Sequence, residues 1–294
     1  MENSRYDYSP IIKRKPLKWP NGARVALWVC PNIEYFYIDK PLRGGFGTPH
    51  LPDVTGYTLR DYGSRIGVFR LMEVLDKHEI RASVLLNADV CKKQPEIIEE
   101  GNKRKWEWLG HGLTNNLALN DYPPEDEQRI IREVTETIAS STGKKPKGWL
   151  GPGLIETFNT PDLLAAEGYE YVCDWGCDDQ PIPMRVKSGR MIVVPYEQGI
   201  NDINIFLRRN HTPEEYLRMV CDQFDALYEE GAKSARVMAI PLHPFIIGFP
   251  FRTRYLDKAL EYICSHKDVW RATGWEIAEW FYKNYYKNPG RPKS

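Results

Sequence analysis

The feature that most constrains the fold is a repeated alternation of short apolar runs with longer amphipathic segments. The first run, ARVALWVC (23–30), is apolar throughout, which is typical of a strand buried on both faces of a parallel sheet. Seven more segments are predicted as strands: 81–88, 106–112, 148–150, 169–175, 190–196, 235–244 and 269–273. The predicted helices are 62–78, 95–104, 125–143, 160–168, 212–231, 254–266 and 274–287. Strands alternating with helices in about seven such units need helical crossovers, so the pattern predicts a mostly parallel α/β sheet.

We expect this sheet to close into a distorted (β/α) barrel of about seven strands, because an open sheet of this size leaves edges that must be protected. A doubly wound open sheet is the alternative architecture. The length of 294 residues suits one large core. We therefore expect a single domain over 1–294, with 1–22 as an N-terminal arm and 288–294 as a frayed tail.

The net charge and the hydropathy of the chain indicate which class of partner and which cellular compartment to expect. Lys plus Arg and Asp plus Glu both number 40, so no net charge favours nucleic acid or a membrane surface. A small-molecule substrate is expected instead. The sequence shows no signal-peptide pattern and no run of about 20 apolar residues, which predicts a cytoplasmic protein. The six cysteines are dispersed, and the pair Cys173 and Cys177 has no second pair at zinc-ligand spacing, so reduced thiols are expected.

Polar residues follow the predicted strands at their carboxyl ends, where barrels of this kind place their chemistry. Glu34 follows the first strand, His111 ends the third, Asp174 ends the fifth and His243 ends the strand AIPL. We predict that these four side chains converge as catalytic residues. The predicted substrate-binding residues near them are Asn32, Asn87, Asn115, Trp149 and Trp175. The loops 39–56, 176–189 and 198–211 are expected to shape the pocket.

These residue types suit hydrolysis of an amide, which needs a base for water, donors for the oxyanion and an acid for the departing nitrogen. Glu34 can act as base or metal ligand, and histidine as base, acid or ligand. The sequence has no G-x-S-x-G elbow, no Walker loop and no G-x-G-x-x-G after the first strand. We therefore expect the single domain to be a catalytic domain for carbon–nitrogen hydrolysis.

Several sequence blocks carry a family resemblance from about Leu17 to Trp280. They are WPNGARVAL before the first motif, LGHG, GW at 148–149, DWGCDDQP, IVVPY, and the long block from Leu242 to Trp280. In this order they resemble the polysaccharide deacetylase (NodB-like) superfamily. Within it, the chain is similar to the metal-independent allantoinases and cyclic imide hydrolases. The resemblance implies a polysaccharide-deacetylase-like fold.

The resemblance also implies roles for residues. The two acids of the family's first motif correspond to Asn32 and Glu34, so the usual base is missing. The two histidines of the second motif correspond to His111 and Asn115. An amide is a weak zinc ligand, so the usual metal triad is degraded to Glu34 and His111. The candidate metal ligands are then Glu34, His111 and, more weakly, Asn115. The third motif's arginine is absent from 148–153, and by resemblance the surviving Asp174 and His243 orient the site and act as general acid.

These departures favour ring-opening hydrolysis of a small cyclic amide, imide or ureide without a cofactor. Glu34 or His111 would activate water, Trp149 or Trp175 would stack on a planar ring, and His243 would protonate the ring nitrogen. One alternative is metal-dependent N-deacetylation of an amino sugar or polysaccharide, with a divalent metal such as zinc. Another is a catalytically inactive protein that binds carbohydrate.

Assembly is suggested by apolar residues at the predicted surface. The N-terminal arm is rich in aromatic residues, and the apolar loop residues are Phe245, Ile246, Ile247, Phe249 and Phe251. We expect a homo-oligomer, and the family resemblance adds a tetramer as one option.

Overall fold

A computed structural model describes residues 3–42 and 50–292 of the chain. The strands in these residues are β1 (Val25–Ile33), β2 (Ser83–Leu86), β3 (Glu107–Gly110), β4 (Gly148–Trp149), β5 (Tyr171–Val172), β6 (Ile182–Met184), β7 (Met191–Val193), β8 (Arg236–Leu242) and β9 (Val269–Arg271). The helices are α1 (Val54–Tyr62), α2 (Val68–Lys77), α3 (Ala88–Lys93), α4 (Pro95–Lys103), α5 (Glu127–Thr142), α6 (Thr160–Glu167), α7 (Pro213–Gly231), α8 (Pro244–Ile247), α9 (Pro250–Ser265) and α10 (Gly274–Asn284).

The strands form one sheet in the order β6-β7-β5-β4-β3-β2-β1-β8, with β9 beside the start of β1. All pairs are parallel except β6 with β7. The predicted distorted α/β barrel is confirmed, and its form is a curled half-barrel. Among the described residues the end strands β6 and β8 do not pair; instead the Val237 N–H of β8 donates to the Asp179 carbonyl oxygen at 2.8 Å. The loop before β6 thus covers the edge of β8.

Strand β1 is buried along its whole length, as its apolar run predicted. Val25, Leu27 and Val29 pack into a large core cluster that includes residues of α2, α5 and α9. The alternate residues face a second cluster formed with the N-terminal arm and α10, and those in β1 are Ala26, Trp28 and Cys30. Side chains alternate between the two faces of a strand, so the even-numbered residues of β1 point to the face that carries the second cluster. We call this the inner face of the sheet, and the face that carries the large cluster the outer face.

The first helix begins earlier than predicted, at Val54 instead of about Tyr62. The Asp53 side chain accepts a hydrogen bond from the Gly56 N–H at 3.0 Å and caps the helix. A π-helical turn over Gly63–Gly67 separates α1 from α2, and Gly67 lies against the backbone of Pro244 where a Cβ would clash. The first helical segment thereby packs close to the residue after His243. Part of the predicted 39–56 loop, 43–49, lies outside the described residues.

The predicted N-terminal arm packs on the domain from residue 3 onward. Arg5 forms an ion pair with Asp162 at 2.8 Å, and Arg14 pairs with Asp178. Trp19 is buried in the second core cluster. The predicted tail has no helix or strand over 288–292. Within the described ranges, no helix is long and apolar enough to cross a membrane.

Candidate active site

Glu34 lies immediately after β1 and has the parity of the inner face. Its side chain is only 5% exposed. Two imidazoles approach the same carboxylate oxygen, Oε1: His111 Nε2 at 3.5 Å and His243 Nε2 at 3.8 Å. Strands β1, β3 and β8, whose carboxyl ends carry these residues, therefore bring three of the four predicted catalytic side chains together.

The orientation of His111 follows from its backbone partner. Its Nδ1 lies 2.6 Å from the Leu150 carbonyl oxygen. A carbonyl oxygen only accepts, so Nδ1 carries a proton, and in the neutral ring Nε2 is left as an acceptor. His111 Nε2 is buried and has no hydrogen-bond partner among the described residues. The unpartnered Nε2 therefore faces the Glu34 carboxyl group, where a ligand or water can meet it.

His243 is held by a carboxylate that the sequence analysis did not identify. Asp202 Oδ1 lies 2.6 Å from the ring Nδ1 of His243, and Asp202 Oδ2 accepts a hydrogen bond from the backbone N–H of His243 at 2.7 Å. Asp202 is fully buried. Burial alone would lower the pKa of His243, but the charge and hydrogen bond of Asp202, with Glu34, raise that pKa above its ordinary value. His243 Nε2 is thereby favoured as a proton donor facing Glu34.

Arg60 was also missed, because helix α1 was predicted to start after it. The residue is 4% exposed, and its guanidinium lies 4.7 Å from the Phe36 ring centroid and 5.4 Å from that of Phe245. Burial lowers the pKa of Arg60, while the charge of Glu34 opposes this shift. Its charge also acts on His243. Glu34 and Arg60 line one small cavity with residues of α1, so a buried cation belongs to the site.

Asn32 and Asn87 are occupied by internal hydrogen bonds. The Asn32 amide donates to the Tyr196 hydroxyl at 2.9 Å and to the Leu242 carbonyl oxygen at 3.1 Å. Asn87 accepts from the Tyr35 N–H at 2.9 Å and donates to the His111 carbonyl oxygen. Both side chains therefore tie the ends of adjacent strands beneath the site.

Asn115 is differently placed. Its backbone N–H donates to the Tyr35 carbonyl oxygen at 3.0 Å. Its side-chain Oδ1 is buried with no hydrogen-bond partner among the described residues. An unpartnered buried acceptor is costly unless a ligand or water meets it. A substrate contact at Asn115 stays a prediction that this orphan oxygen supports.

The two predicted tryptophans lie in different environments. Trp149 has the parity of the outer face, is completely buried in the large core cluster and packs against the Tyr169 ring at 5.5 Å. Its indole is therefore not available to stack on a substrate. Trp175 is half-buried, meets Tyr6 of the arm edge-on at 5.9 Å and donates its indole N–H to Glu156 at 2.9 Å.

Asp174 is linked to the histidine site through backbone. Its Oδ1 accepts from the Gly151 N–H at 2.8 Å, and Gly151 follows Leu150, whose carbonyl oxygen holds His111. The structure therefore places Asp174 behind the turn that supports His111. Burial and the neighbouring Glu156 carboxyl raise the pKa of Asp174 well above its usual range.

The side chains at the site do not resemble a zinc-binding set. Zinc in proteins takes three or four His, Cys, Asp or Glu ligands. No group of three such side chains is arranged to hold a metal ion in residues 3–42 and 50–292. Of the candidates, Glu34 and His111 approach each other and Asn115 adds a neutral amide oxygen. The residues present thus do not fit zinc, and independence from metal stays a prediction.

A larger cavity of about 1410 Å³ lies elsewhere, between the N-terminal arm and the loop before β6. Arg14, Cys177, Asp178 and Glu197 are among its lining residues. Glu34, His111 and His243 do not line it. Its size alone therefore does not make it the reaction site.

Comparisons with known proteins agree with this geometry. A polysaccharide deacetylase family model matches residues 56–172. A Schizosaccharomyces pombe protein described provisionally as a polysaccharide deacetylase is 26% identical, covering 92% of this chain and 94% of its own.

Two solved structures share the whole fold. A probable polysaccharide deacetylase from Pseudomonas aeruginosa PAO1 is 26% identical with a TM-score of 0.83, covering 91% of this chain and 94% of its own. PuuE allantoinase is 25% identical with a TM-score of 0.83, covering 96% of this chain and all of its own.

The half-barrel and its carboxyl-end site thus define an enzyme that hydrolyses carbon–nitrogen bonds of amide type. Over residues 56–172 the chain is similar to the polysaccharide deacetylase family, and its whole fold is similar to that of PuuE allantoinase.

Proposed function

We propose that this enzyme opens the ring of a small cyclic amide, imide or ureide by adding water across a ring carbon–nitrogen bond. The observation that carries the proposal is the approach of His111 and His243 to one oxygen of Glu34. In the part of the chain that the structure describes, no group of three His, Cys, Asp or Glu side chains is arranged to hold a metal ion. The likeness to PuuE allantoinase supports the ring-opening branch. The balanced charge of the chain supports a small substrate. We also propose that the enzyme works in the cytoplasm.

The groups supply each proton transfer that the reaction needs. Glu34, beside the His111 lone pair, removes a proton from water as the water oxygen bonds to the ring carbonyl carbon. The carbon–nitrogen bond then breaks, and its electron pair passes to the ring nitrogen. His243 Nε2 donates a proton to that nitrogen, and Asp202 stabilises the imidazolium from the other side. The product is the opened chain, heavier than the substrate by one water.

Arg60 adds fixed positive charge to this chemistry. Its buried guanidinium interacts electrostatically with Glu34 and can stabilise negative charge on the substrate's carbonyl oxygen. The flanking rings of Phe36 and Phe245 hold the guanidinium in place. Imides and ureides contain more than one carbonyl group, and a carbonyl oxygen can accept a hydrogen bond from the Arg60 guanidinium.

The test is turnover of a substrate panel in the presence and absence of a chelator. Succinimide, glutarimide, hydantoin, dihydrouracil and allantoin are compared with N-acetylglucosamine oligomers by mass spectrometry. We expect at least one cyclic compound to gain the mass of one water, with a rate that neither chelator nor added zinc changes. Release of acetate from the sugar by a stoichiometrically bound zinc ion, lost with chelator, would instead establish the metal-dependent deacetylase.

Replacement of Arg60 by Met is expected to lower kcat/KM by about 10²-fold, the usual loss for one oxyanion donor. Arg60 also lowers the pKa of His243, so the alkaline limb of the rate profile should move to higher pH in this variant. Arg65→Met is the matched control, because Arg65 follows on the same helical segment and its side chain is 73% exposed. Equal kinetics for the two variants would remove Arg60 from the site.

A further inference from the structure

Two carboxyl groups lie together behind the histidine site. Asp174 Oδ1 accepts from the Gly151 N–H at 2.8 Å, and Glu156 Oε2 accepts from the Trp175 indole N–H at 2.9 Å. The remaining oxygens, Asp174 Oδ2 and Glu156 Oε1, are both buried and have no hydrogen-bond partner among the described residues. The Glu156 carboxyl acts electrostatically on Asp174 and raises its pKa.

Two ionised carboxylates in contact repel strongly when buried, and each would leave an oxygen unsatisfied. A single proton between the two orphan oxygens removes both costs. We propose that Asp174 and Glu156 share one proton between Oδ2 and Oε1, and that this bond positions the Leu150–Gly151 turn that holds His111. Glu156 is then a positioning residue that acts through Asp174.

The connection to His111 is short and uses neighbouring backbone groups. Asp174 holds the Gly151 N–H, and the preceding residue, Leu150, offers its carbonyl oxygen to His111 Nδ1 at 2.6 Å. A fixed Leu150 carbonyl fixes the His111 tautomer and so the acceptor that faces Glu34. The catalytic value of the pair rests on the proposed function, whereas the shared proton does not.

The charges around the pair agree with a retained proton. Burial raises the pKa of Glu156 to about 7, although the hydrogen bond from the Trp175 indole opposes the shift. Arg5 of the N-terminal arm lowers this pKa and Glu127 of α5 raises it. Arg5 is itself engaged by Asp162 at 2.8 Å. The net environment therefore favours one proton on two carboxyl groups at neutral pH.

Infrared spectroscopy of the purified protein tests the shared proton directly. The comparison uses the wild type, Glu156→Gln and the control Glu99→Gln, which removes an exposed carboxyl on α4. The glutamine introduced by Glu156→Gln would keep both hydrogen bonds, since its oxygen can accept from Trp175 and its amide can donate to Asp174. We expect the wild type and the control to show a protonated-carboxyl band that persists at neutral pH, because burial and the Glu156 carboxyl raise the pKa of Asp174 well above its usual range. The band should be missing from Glu156→Gln.

Thermal unfolding gives a second readout. A carboxyl with a raised folded-state pKa contributes stability that is complete below its unfolded pKa and is lost as the pH rises through the folded pKa. The melting temperature of the wild type should therefore fall through neutral pH more steeply than that of Glu156→Gln. Absence of the carboxyl band from the wild type, or equal slopes for the two proteins, would overturn the shared proton.

The positioning role is tested by nitrogen NMR of the histidine rings. Glu156→Leu removes both hydrogen bonds and should shift His111 away from the Nδ1–H tautomer, while Glu99→Gln should leave it unchanged. An unchanged tautomer in a folded Glu156→Leu variant would overturn the positioning role. If Glu156→Leu fails to fold, the infrared result still decides the shared proton. None of these readouts needs a substrate, so their failure is distinct from failure of the proposed function.

Discussion

Glu34→Gln is expected to reduce kcat/KM by about 10³-fold, within the usual range for losing a general base. The amide is nearly isosteric, so the side chain still fills its buried position, but it cannot take a proton from water. It also removes the negative charge beside His243 and Arg60. The measurement is steady-state kinetics on whichever cyclic substrate the panel identifies.

Two controls accompany the kinetics of Glu34→Gln. Glu34→Asp keeps the charge but withdraws it by one methylene, so activity should lie between the other two proteins. Circular dichroism and thermal unfolding should show that Glu34→Gln is folded. Wild-type kinetics in a folded Glu34→Gln protein would contradict the role assigned to Glu34.

Asp202→Asn is expected to lower activity at neutral pH by about 10²- to 10⁴-fold, because the imidazole loses both the carboxylate that orients it and the charge that stabilises its protonated form. Asp202 raises the pKa of His243, so its removal should lower that pKa. As His243 acts in its protonated form, the alkaline limb of the rate profile should move to lower pH. This is opposite to the shift expected for Arg60→Met.

The pH profile separates a catalytic effect from a structural one. The matched control is Asp222→Asn, which removes a carboxylate on α7, outside the site, and should leave both the rate and the alkaline limb in place. A uniform loss of activity with an unshifted limb in Asp202→Asn would mean that Asp202 only supports the fold, and that His243 is not the acid.

Much of the fold was predictable because hydrophobic spacing reports burial directly. The predicted first strand overlaps β1, and helix 212–231 agrees with α7 within one residue. The short elements were missed: α3 has six residues, and the π-helical turn over Ile203–Arg208 has no period that sequence patterns detect. Incomplete closure of the barrel was also not predicted, since it depends on the backbone pairing of Val237 with Asp179.

The site was predictable where its residues end strands. Glu34, His111 and His243 each follow a buried run, and parallel strands bring their carboxyl ends to one edge. The same reasoning was wrong for Trp149, which also ends a strand. Neighbouring residues in a strand point to opposite faces, and Trp149 points to the outer face. Counting alternate positions along each strand could have shown which of these residues point to the inner face.

Asp202 and Arg60 could not be found in this way. Asp202 lies in the 198–211 segment, which ends no predicted strand, and its partner His243 is far away in sequence. Arg60 lies on a helix, and only the packing of α1 against Phe36 and Phe245 brings it to Glu34. Such contacts depend on tertiary packing, for which one sequence contains no periodic signal.

The central claim is that Glu34, His111 and His243 act together on one ring carbon–nitrogen bond. A crystal structure of Glu34→Gln with an intact cyclic imide or ureide tests it most directly. A ring carbonyl carbon should lie beside residue 34 and His111, with the adjacent ring nitrogen facing His243 Nε2. A ligand bound only in the 1410 Å³ cavity beneath the N-terminal arm, away from both imidazoles, would contradict the account.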